Sequence, residues 1–268
     1  MERMKRRWST LTPADVQMLA DRATPEEYQK GGLPSDHKPP STDALGGKQL
    51  TLSFQEGSYV YSFDGAAKLT WFEEGGEAHE DPCDVLLVPG TDDVYFVHHY
   101  CLRSAPPEAH SLVLDLTHGL VTMVLAKIGV PEAAREVTRK FYFGTIKELW
   151  DGSKLHDFTT ELVGKAILWE YSEEVKIKHI YAMPLYYSYV MKLPDCCWMA
   201  SNPADYVKLR ENLYIFSFLE ERQAGVQGLF VINLDTMHDV GGFFGIQASG
   251  MECYTVGARG TYSTMETL

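Results

Sequence analysis

The residues best suited to acid–base chemistry lie in one strand-like segment in the second half of the chain. Between positions 175 and 181 the pattern has period two. It places Val175, His179 and Tyr181 on one face of the strand and two lysines on the opposite face. A neutral histidine can abstract or shuttle a proton near pH 7, and a phenol can donate a hydrogen bond to a developing enolate or phenolate. Such a pair needs neither a metal ion nor a cofactor, and we expect none.

Aromatic residues on neighbouring segments are expected to surround this pair. Trp169 and Tyr171 share one face of the preceding strand, and two tyrosines share a face of the next. Glu220, after segment 213–219, and Glu170 are candidates to orient the histidine or to act as the acid. The predicted catalytic residues are His179, Tyr181 and Glu220, and the predicted ligand-binding residues are Trp169, Tyr171, Tyr187, Tyr189 and Tyr214. This set suits a flat aromatic or conjugated ligand.

The first half of the chain offers weaker candidates. His98 and His99 are neighbours on one predicted strand, so only one of them can face an interior. His98 would lie with Phe96 and Tyr100, and Arg103 follows at the strand end, where it could hold a carboxylate. Exposure of both histidines at the strand end is the favoured interpretation.

Other polar clusters carry less weight. His79, Glu80 and Asp81 follow two glycines in an expected loop and lack the spacing that would converge on zinc, so no metal site is predicted. The vicinal pair Cys196-Cys197 is interpreted as a buried turn. The five cysteines include no CxxC pair, and we expect reduced thiols, most of them buried.

An internal repeat determines how these residues are positioned. The segments 45–54, 94–97 and 112–116 have counterparts 117, 119 and 118 residues later, in the same order. Each half contains eight short runs rich in β-branched and aromatic residues, separated by Gly, Pro, Asp or Asn. The predicted strands are 48–54, 58–63, 67–73, 83–88, 93–100, 110–116, 120–126 and 137–144, then 165–171, 174–181, 185–191, 205–209, 212–219, 226–233, 240–246 and 253–262. Their short connections exclude crossover helices, so we predict two antiparallel barrels.

Three segments fall outside this pattern. Thr12 and Pro13 are typical of a helix start and predict a short N-terminal helix over 13–21, and a second short helix is expected near 131–135. The proline-rich stretch 31–41 is expected to lie extended across the first barrel. The predicted domains are an N-terminal helix and arm over 1–40, a first barrel over 41–146 and a second barrel over 159–268.

Composition excludes two classes of function. Lys+Arg number 24 against Asp+Glu 37, a net charge of −13, which would repel phosphate backbones and argues against general nucleic-acid binding. No run approaches the roughly 18 apolar residues that span a bilayer, and residues 1–19 lack the apolar core of a secretory signal. We expect a cytoplasmic protein without nucleic-acid or membrane partners, and a homodimer is left open.

Several segments carry a family resemblance. Residues 159–165, 169–172, 179–181, 206–209 and 213–216 resemble the C-terminal half of the MoaF family, and 45–48 and 111–116 resemble its N-terminal half more loosely. The resemblance implies all-β tandem lipocalin-like (calycin) barrels akin in fold to the phenolic acid decarboxylases. The family is named after molybdenum-cofactor biosynthesis, but the chain lacks the Gly-rich loop and the basic residues that a pterin phosphate would need.

Together these observations favour an enzyme that acts on a small aromatic or polyketide-like molecule. Isomerisation or intramolecular cyclisation of the oxa-Michael type is the preferred reaction. Decarboxylation is an alternative that calls for an arginine in the active barrel, and Arg210, Arg222 and Arg259 are not placed in mid-strand. A non-catalytic carrier of the same type of ligand is the alternative from a different class.

Overall fold

The computed structural model describes residues 32–104, 106–130, 133, 135, 137–193, 196–220, 226–247 and 250–264. These residues form two closed antiparallel barrels of eight strands in tandem, as predicted, and include no helix. The first barrel consists of β1 Gln49–Phe54, β2 Ser58–Phe63, β3 Lys68–Glu73, β4 His79–Leu87, β5 Val94–Cys101, β6 Glu108–Asp115, β7 Leu120–Ile128 and β8 Val137–Ile146. The predicted helix over 13–21 lies outside the described residues, as does most of the segment 131–135.

The second barrel follows a short link that contains β9 Asp157–Phe158. Its eight strands are β10 Ala166–Glu170, β11 Lys176–Met183, β12 Tyr186–Leu193, β13 Cys196–Arg210, β14 Leu213–Leu219, β15 Val226–Asn233, β16 His238–Gln247 and β17 Gly250–Tyr262. Pairing of β12 with the first half of β13 closes the barrel, and β9 pairs with Val207 and Lys208 in the second half of β13. The β13–β14 turn is tight enough to place Asn212 at a positive φ of 57°, a conformation that asparagine tolerates well.

Two strands begin at least four residues earlier than the sequence predicts. β4 starts at His79 rather than at 83, because His79 pairs with Trp71 across the β3–β4 ladder, so the expected loop there is wrong. β13 starts at Cys196 rather than at 205 and pairs along its length with β12. The vicinal cysteines therefore lie in a strand and not in a buried turn, and Cys197 is exposed.

The barrels pack against each other through strands that are buried on both faces. In β5, β6 and β15 every residue is buried, because one face lines a barrel and the other lies between the barrels. Phe96 and Val113 of the first barrel pack there with Ile215 and Val231 of the second. This shared core explains why these segments are nearly continuous apolar runs.

The arm that precedes β1 contacts both barrels. The backbone N–H of Asp36 donates to the carbonyl of Tyr171 (2.7 Å), while Lys38 forms an ion pair with Asp84 of β4 (2.6 Å). Ser35 exchanges hydrogen bonds with Gly257 of β17. The arm therefore bridges the two barrels, whereas the sequence placed it across the first barrel alone. No helix in the described part of the chain is long and apolar enough to cross a bilayer.

Candidate functional site

The second barrel contains a cavity of about 400 Å³. Its walls are mainly aromatic and include Tyr171, Tyr187, Tyr189, Trp198, Phe218 and Phe230. His179 and Glu220 also line it, and Gly32 and Leu33 of the arm lie at its edge. A cavity of this size and lining accommodates one small flat molecule.

His179 projects from β11 into this barrel, as the period-two pattern predicts. Its side chain is 3% exposed and contacts the rings of Tyr187 and Phe216, with centroids 5.3 and 5.4 Å away. Burial alone lowers the pKa of His179 to about 3, because the positive imidazolium loses its water and gains no carboxylate partner. The imidazole is therefore neutral at pH 7.

A directional hydrogen-bond chain fixes how this imidazole faces the cavity. The indole N–H of Trp169 donates to the hydroxyl oxygen of Tyr181 (3.1 Å), since an indole nitrogen only donates. That hydroxyl lies 3.4 Å from Nδ1 of His179 and is left to donate to it. Nδ1 is then the acceptor, so the ring proton sits on Nε2. The chain therefore sets the tautomer of His179.

Glu220 lies immediately after β14 and supplies the acceptor on the cavity wall. The amide nitrogen of Asn202 donates to Oε2 of Glu220 (3.1 Å) and lies 3.4 Å from the hydroxyl of Tyr187. Asn202 is completely buried in β13, so it is a rigid donor. A carboxylate and an imidazole N–H thus share one aromatic cavity.

Of the other predicted site residues, some line the cavity and others do not. Tyr171, Tyr187 and Tyr189 line the cavity, whereas Trp169 and Tyr181 lie behind His179 and do not line it. The hydroxyl of Tyr214 donates to Glu161 (2.7 Å), so this residue, expected to bind ligand, is instead tied to the link before the barrel.

Glu170 does not face the cavity. Its carboxylate forms an ion pair with Lys176 (2.5 Å), and its side chain is 41% exposed. The hydrogen bond from Lys176 lowers the pKa of Glu170. The expectation that Glu170 serves the histidine is therefore wrong, because alternation along β10 places it on the outside of the barrel.

Asp239 of β16 is a titratable residue that the sequence analysis missed. Burial raises the pKa of Asp239 to about 7, and the hydroxyl of Tyr171 donates to its Oδ2 (3.3 Å). Tyr171 lines the cavity, so its side chain lies between the Asp239 carboxyl and the cavity. Phe243 also lines the cavity, and Asp239 lies four positions before it on the same strand face. This alternation is the sequence signal that could have identified Asp239 as a residue of the barrel interior.

Both histidines of the first barrel pair are buried, contrary to the expectation of strand-end exposure. His98 lies between the barrels, where Nδ1 is 2.9 Å from the hydroxyl of Ser111 and Nε2 is 3.1 Å from the carbonyl of Phe243. His99 lies inside the first barrel near Asp81. Arg103 is exposed and does not reach either interior.

The position of Asp81 also contradicts the loop expected at residues 79–81. It is buried in β4, where it accepts a hydrogen bond from the indole of Trp71 (2.6 Å) and one from the backbone of Leu102 (2.9 Å). His79 stacks on Trp71 with ring centroids 4.8 Å apart. The two residues thus belong to the packed wall of the first barrel.

A molybdopterin does not fit the second-barrel cavity. Its phosphate would require cationic side chains or a cradle of backbone N–H groups. Among the described residues that line the cavity there is no lysine or arginine, and both charged side chains, Glu220 and Glu252, are acidic. An anionic ligand would be repelled, so we derive no pterin chemistry here.

Comparison with known proteins identifies the two barrels. Residues 26–130 match the MoaF N-terminal domain, and residues 156–266 match the MoaF C-terminal domain. No protein with a curated description matches the chain. The two matched ranges follow the order of the barrels and together span most of the sequence. The chain belongs to the MoaF family.

Proposed function

We propose that the second barrel is the active site of a cofactor-independent enzyme that transfers a proton on a small aromatic or polyketide-like molecule. The reaction is an isomerisation or an intramolecular oxa-Michael cyclisation. The observation that carries this proposal is the presence of a neutral imidazole N–H and a carboxylate in one aromatic cavity of about 400 Å³. Aromatic walls favour a conjugated ligand, and the two polar groups suit proton transfer at an activated carbonyl.

His179 acts as a hydrogen-bond donor to the substrate carbonyl. A base with a pKa of about 3 abstracts protons poorly, so donation from Nε2 replaces the proton abstraction expected of His179 from the sequence. As negative charge develops on the carbonyl oxygen, this hydrogen bond strengthens in the poorly solvated cavity. Tyr181 is a positioning residue that holds Nδ1 and therefore keeps the ring proton on Nε2.

Glu220 acts as the base. In an isomerisation it takes a proton from the carbon next to the carbonyl and returns it to another carbon of the conjugated system. In a cyclisation it takes the proton of a phenol, whose oxygen then bonds to the β-carbon of the enone while the π-electron pair moves to the carbonyl oxygen. Protonation of the α-carbon by Glu220 restores the enzyme, so no atom or electron is gained or lost.

A carrier and a decarboxylase remain the competing functions. A carrier would use the same cavity without a base, and the donor from Asn202 that orients the Glu220 carboxylate favours the enzyme. A decarboxylase would have to bind a substrate carboxylate beside two glutamates, and the described lining supplies no cation to hold it. Proton transfer on a neutral ligand is therefore the better fit.

Replacement of His179 by Gln tests the proposal. With a panel of phenolic enones, we expect kcat to fall by about 10²–10⁴-fold while the dissociation constant changes by less than about threefold, because the donor acts mainly on the transition state. Loss of conjugated absorbance measures turnover, and fluorescence quenching measures binding. His238→Gln is the matched control, since that ring lies outside the cavity and bonds to the carbonyl of Thr236.

The outcomes separate the two classes of function. A change in affinity without any turnover in the wild type would indicate a carrier. Unchanged turnover and unchanged affinity in His179→Gln would show that the site is assigned wrongly. Native mass spectrometry of freshly purified protein identifies a retained ligand in either case.

A further inference from the structure

We propose that the first barrel binds one metal ion of the zinc class through His99, Cys101 and His110. One donor atom from each residue lies within 4.8 Å of the donor atoms of the other two, and all three side chains are buried. This site is separate from the second-barrel cavity, and its existence does not depend on the function proposed there.

The β5–β6 hairpin brings the three donors together. His99 and His110 are direct cross-strand partners, and Cys101 lies two residues after His99 on the same strand face. Glu108 is the cross-strand partner of Cys101 and lies two residues before His110. The pattern His-x-Cys followed by Glu-x-His therefore projects all four side chains into the first barrel.

The histidine rings are arranged as two ligands of one ion require. Their centroids are 4.9 Å apart and their planes meet at 79°. Two imidazoles on one tetrahedral zinc hold their ring centres about 5 Å apart, given Zn–N distances of about 2.0–2.1 Å. The sulfur of Cys101 lies beside the His99 ring, 4.0 Å from its Nδ1. Small side-chain shifts complete the site.

Carboxylates support both histidines from behind. Nε2 of His110 donates to Glu108 (2.6 Å), which leaves Nδ1 as the ligand atom. Nδ1 of His99 is 3.5 Å from Asp81. A carboxylate behind a histidine is the usual support of a zinc ligand, because it orients the ring and raises its basicity.

The charges of the cluster balance when a divalent ion is bound. The ion, one thiolate and two neutral imidazoles carry a net charge of +1, which Asp81 offsets. Glu108 is already paired with Lys127 (2.7 Å). On binding, Cys101 exchanges its S–H bond for a bond to the metal, and its proton passes to the buffer.

The donor types select the class of ion. Mixed imidazole and thiolate sites suit zinc and cobalt(II), whereas calcium and magnesium prefer oxygen ligands. The hydroxyl of Tyr61 lies 2.7 Å from Nδ1 of His110 and 3.4 Å from Nε2 of His99. It marks the point at which the two rings converge, so the phenol or a water molecule takes the fourth position.

Cobalt(II) titration of the reduced, metal-depleted full chain tests the proposal. We expect a thiolate-to-cobalt charge-transfer band that saturates at one cobalt per chain and disappears when one equivalent of zinc is added. Absence of the band in the wild type would overturn the proposal, and this result does not depend on any variant folding.

Two cysteine variants locate the ion. Cys101→Ser should remove the band and weaken zinc binding by at least about 100-fold, since loss of a supporting residue alone costs 10–100-fold. Cys253→Ser is the matched control, because that buried sulfur lies 3.3 Å from Nε2 of His98 and joins no cluster of three possible metal ligands among the described residues. If the band survives in Cys101→Ser, the ion lies elsewhere and the proposal is wrong. Far-UV circular dichroism verifies that each variant is folded.

Discussion

The two barrels place different chemistry at equivalent positions of the same strand ladder. In the first barrel Leu50 pairs with Tyr61, and in the second Ile167 pairs with His179. A phenol in the first barrel therefore occupies the position of the imidazole in the second. Tyr61 lies between two further imidazoles, whereas His179 lies among aromatic rings.

The next equivalent pair replaces two imidazoles by an aromatic ring on a glycine. The cross-strand pair His99–His110 corresponds to Phe218–Gly228. A Cβ atom on Gly228 would lie 2.5 Å from the ring of Phe218, so only glycine allows that ring to lie flat on the strand. The rings of Phe218 and Phe230, which both line the cavity, therefore occupy the space that a side chain at position 228 would take.

The polar residues behind these pairs differ in charge. The ladder position of Asp81 in β4 is that of Asn202 in β13, since Cys83 pairs with His99 as Ala204 pairs with Phe218. A buried carboxylate favours cations and protonated partners, whereas an amide is neutral and can donate to a carboxylate. One scaffold thus holds a charged cluster in the first barrel and an aromatic cavity in the second.

Exchange of the Glu220 carboxylate for an amide should have the largest effect. Glu220→Gln removes the proposed base, so we expect kcat to fall by about 10²–10⁴-fold with little change in affinity. Cys101 occupies the equivalent position in the first barrel, and Cys101→Ser should leave turnover of the enones unchanged. If turnover is lost in Cys101→Ser and kept in Glu220→Gln, the roles of the two barrels are reversed. Steady-state kinetics with both variants decide this.

Arg210 tests whether the two barrels unfold as one unit. It lies in the second barrel but bonds to Asp93 (2.5 Å) and Asp115 (2.6 Å) of the first, and the side chain of Asp115 is only 1% exposed. Arg210→Gln leaves a buried carboxylate without its cation and should reduce the free energy of unfolding by about 3–5 kcal/mol. The wild type should unfold in one transition, measured by urea denaturation.

A control and a contrary outcome accompany this variant. Lys208→Gln removes a half-buried lysine from the same strand, whose ion pair with Glu161 involves no residue of the first barrel, and should have a much smaller effect. Two separate transitions in Arg210→Gln but one in the wild type would show that this arginine couples the barrels. Two transitions already in the wild type would contradict the shared core.

Asp239 should make stability depend on pH. Its pKa is about 7 in the folded protein and ordinarily about 3.8, so the folded state keeps a proton that the unfolded chain releases. Stability therefore falls as the pH rises from about 4 to about 7, and it levels off above 7. Asp239→Asn should remove this dependence and stabilise the protein by up to about 4 kcal/mol at pH 8, since the pKa difference is about 3 units and one unit corresponds to about 1.4 kcal/mol.

The same variant serves as its own control across the pH range. Wild type and Asp239→Asn should have similar melting temperatures near pH 4, and the gap should open toward pH 8. Oδ1 of Asp239 has no hydrogen-bond partner among the described residues, so an uncharged amide fits the site at least as well. A constant gap at all pH values would mean that this carboxyl does not titrate on unfolding.

Local patterns were sufficient to predict the barrels and the direction of His179. The repeat offset places β6 and β15 in register, and period-two alternation places His179 and Tyr187 inside, where the structure has them. These features depend on neighbours along one strand. They can be read from a single segment of sequence.

Contacts between distant segments could not be predicted in this way. The two glycines before it predict a loop at Asp81, and only its bonds to Trp71 and Leu102 explain why it is buried. The sequence analysis treats Cys101 only as one of five reduced thiols, although its spacing from His99 equals that of Glu108 from His110. That mirrored spacing on two adjacent strands is the signal that could have indicated a metal site.

The smallest expected effect concerns Glu170, which the sequence analysis placed near His179. Its carboxylate lies on the outside of the second barrel, paired with Lys176 at the surface. Glu170→Gln should therefore change the free energy of unfolding by less than about 1 kcal/mol and leave turnover of the enones within about twofold. High salt should erase even the stability difference, because exposed ion pairs are screened. A large loss of turnover in this variant would place the active site on the outer face of the barrel, which contradicts a reaction inside the aromatic cavity.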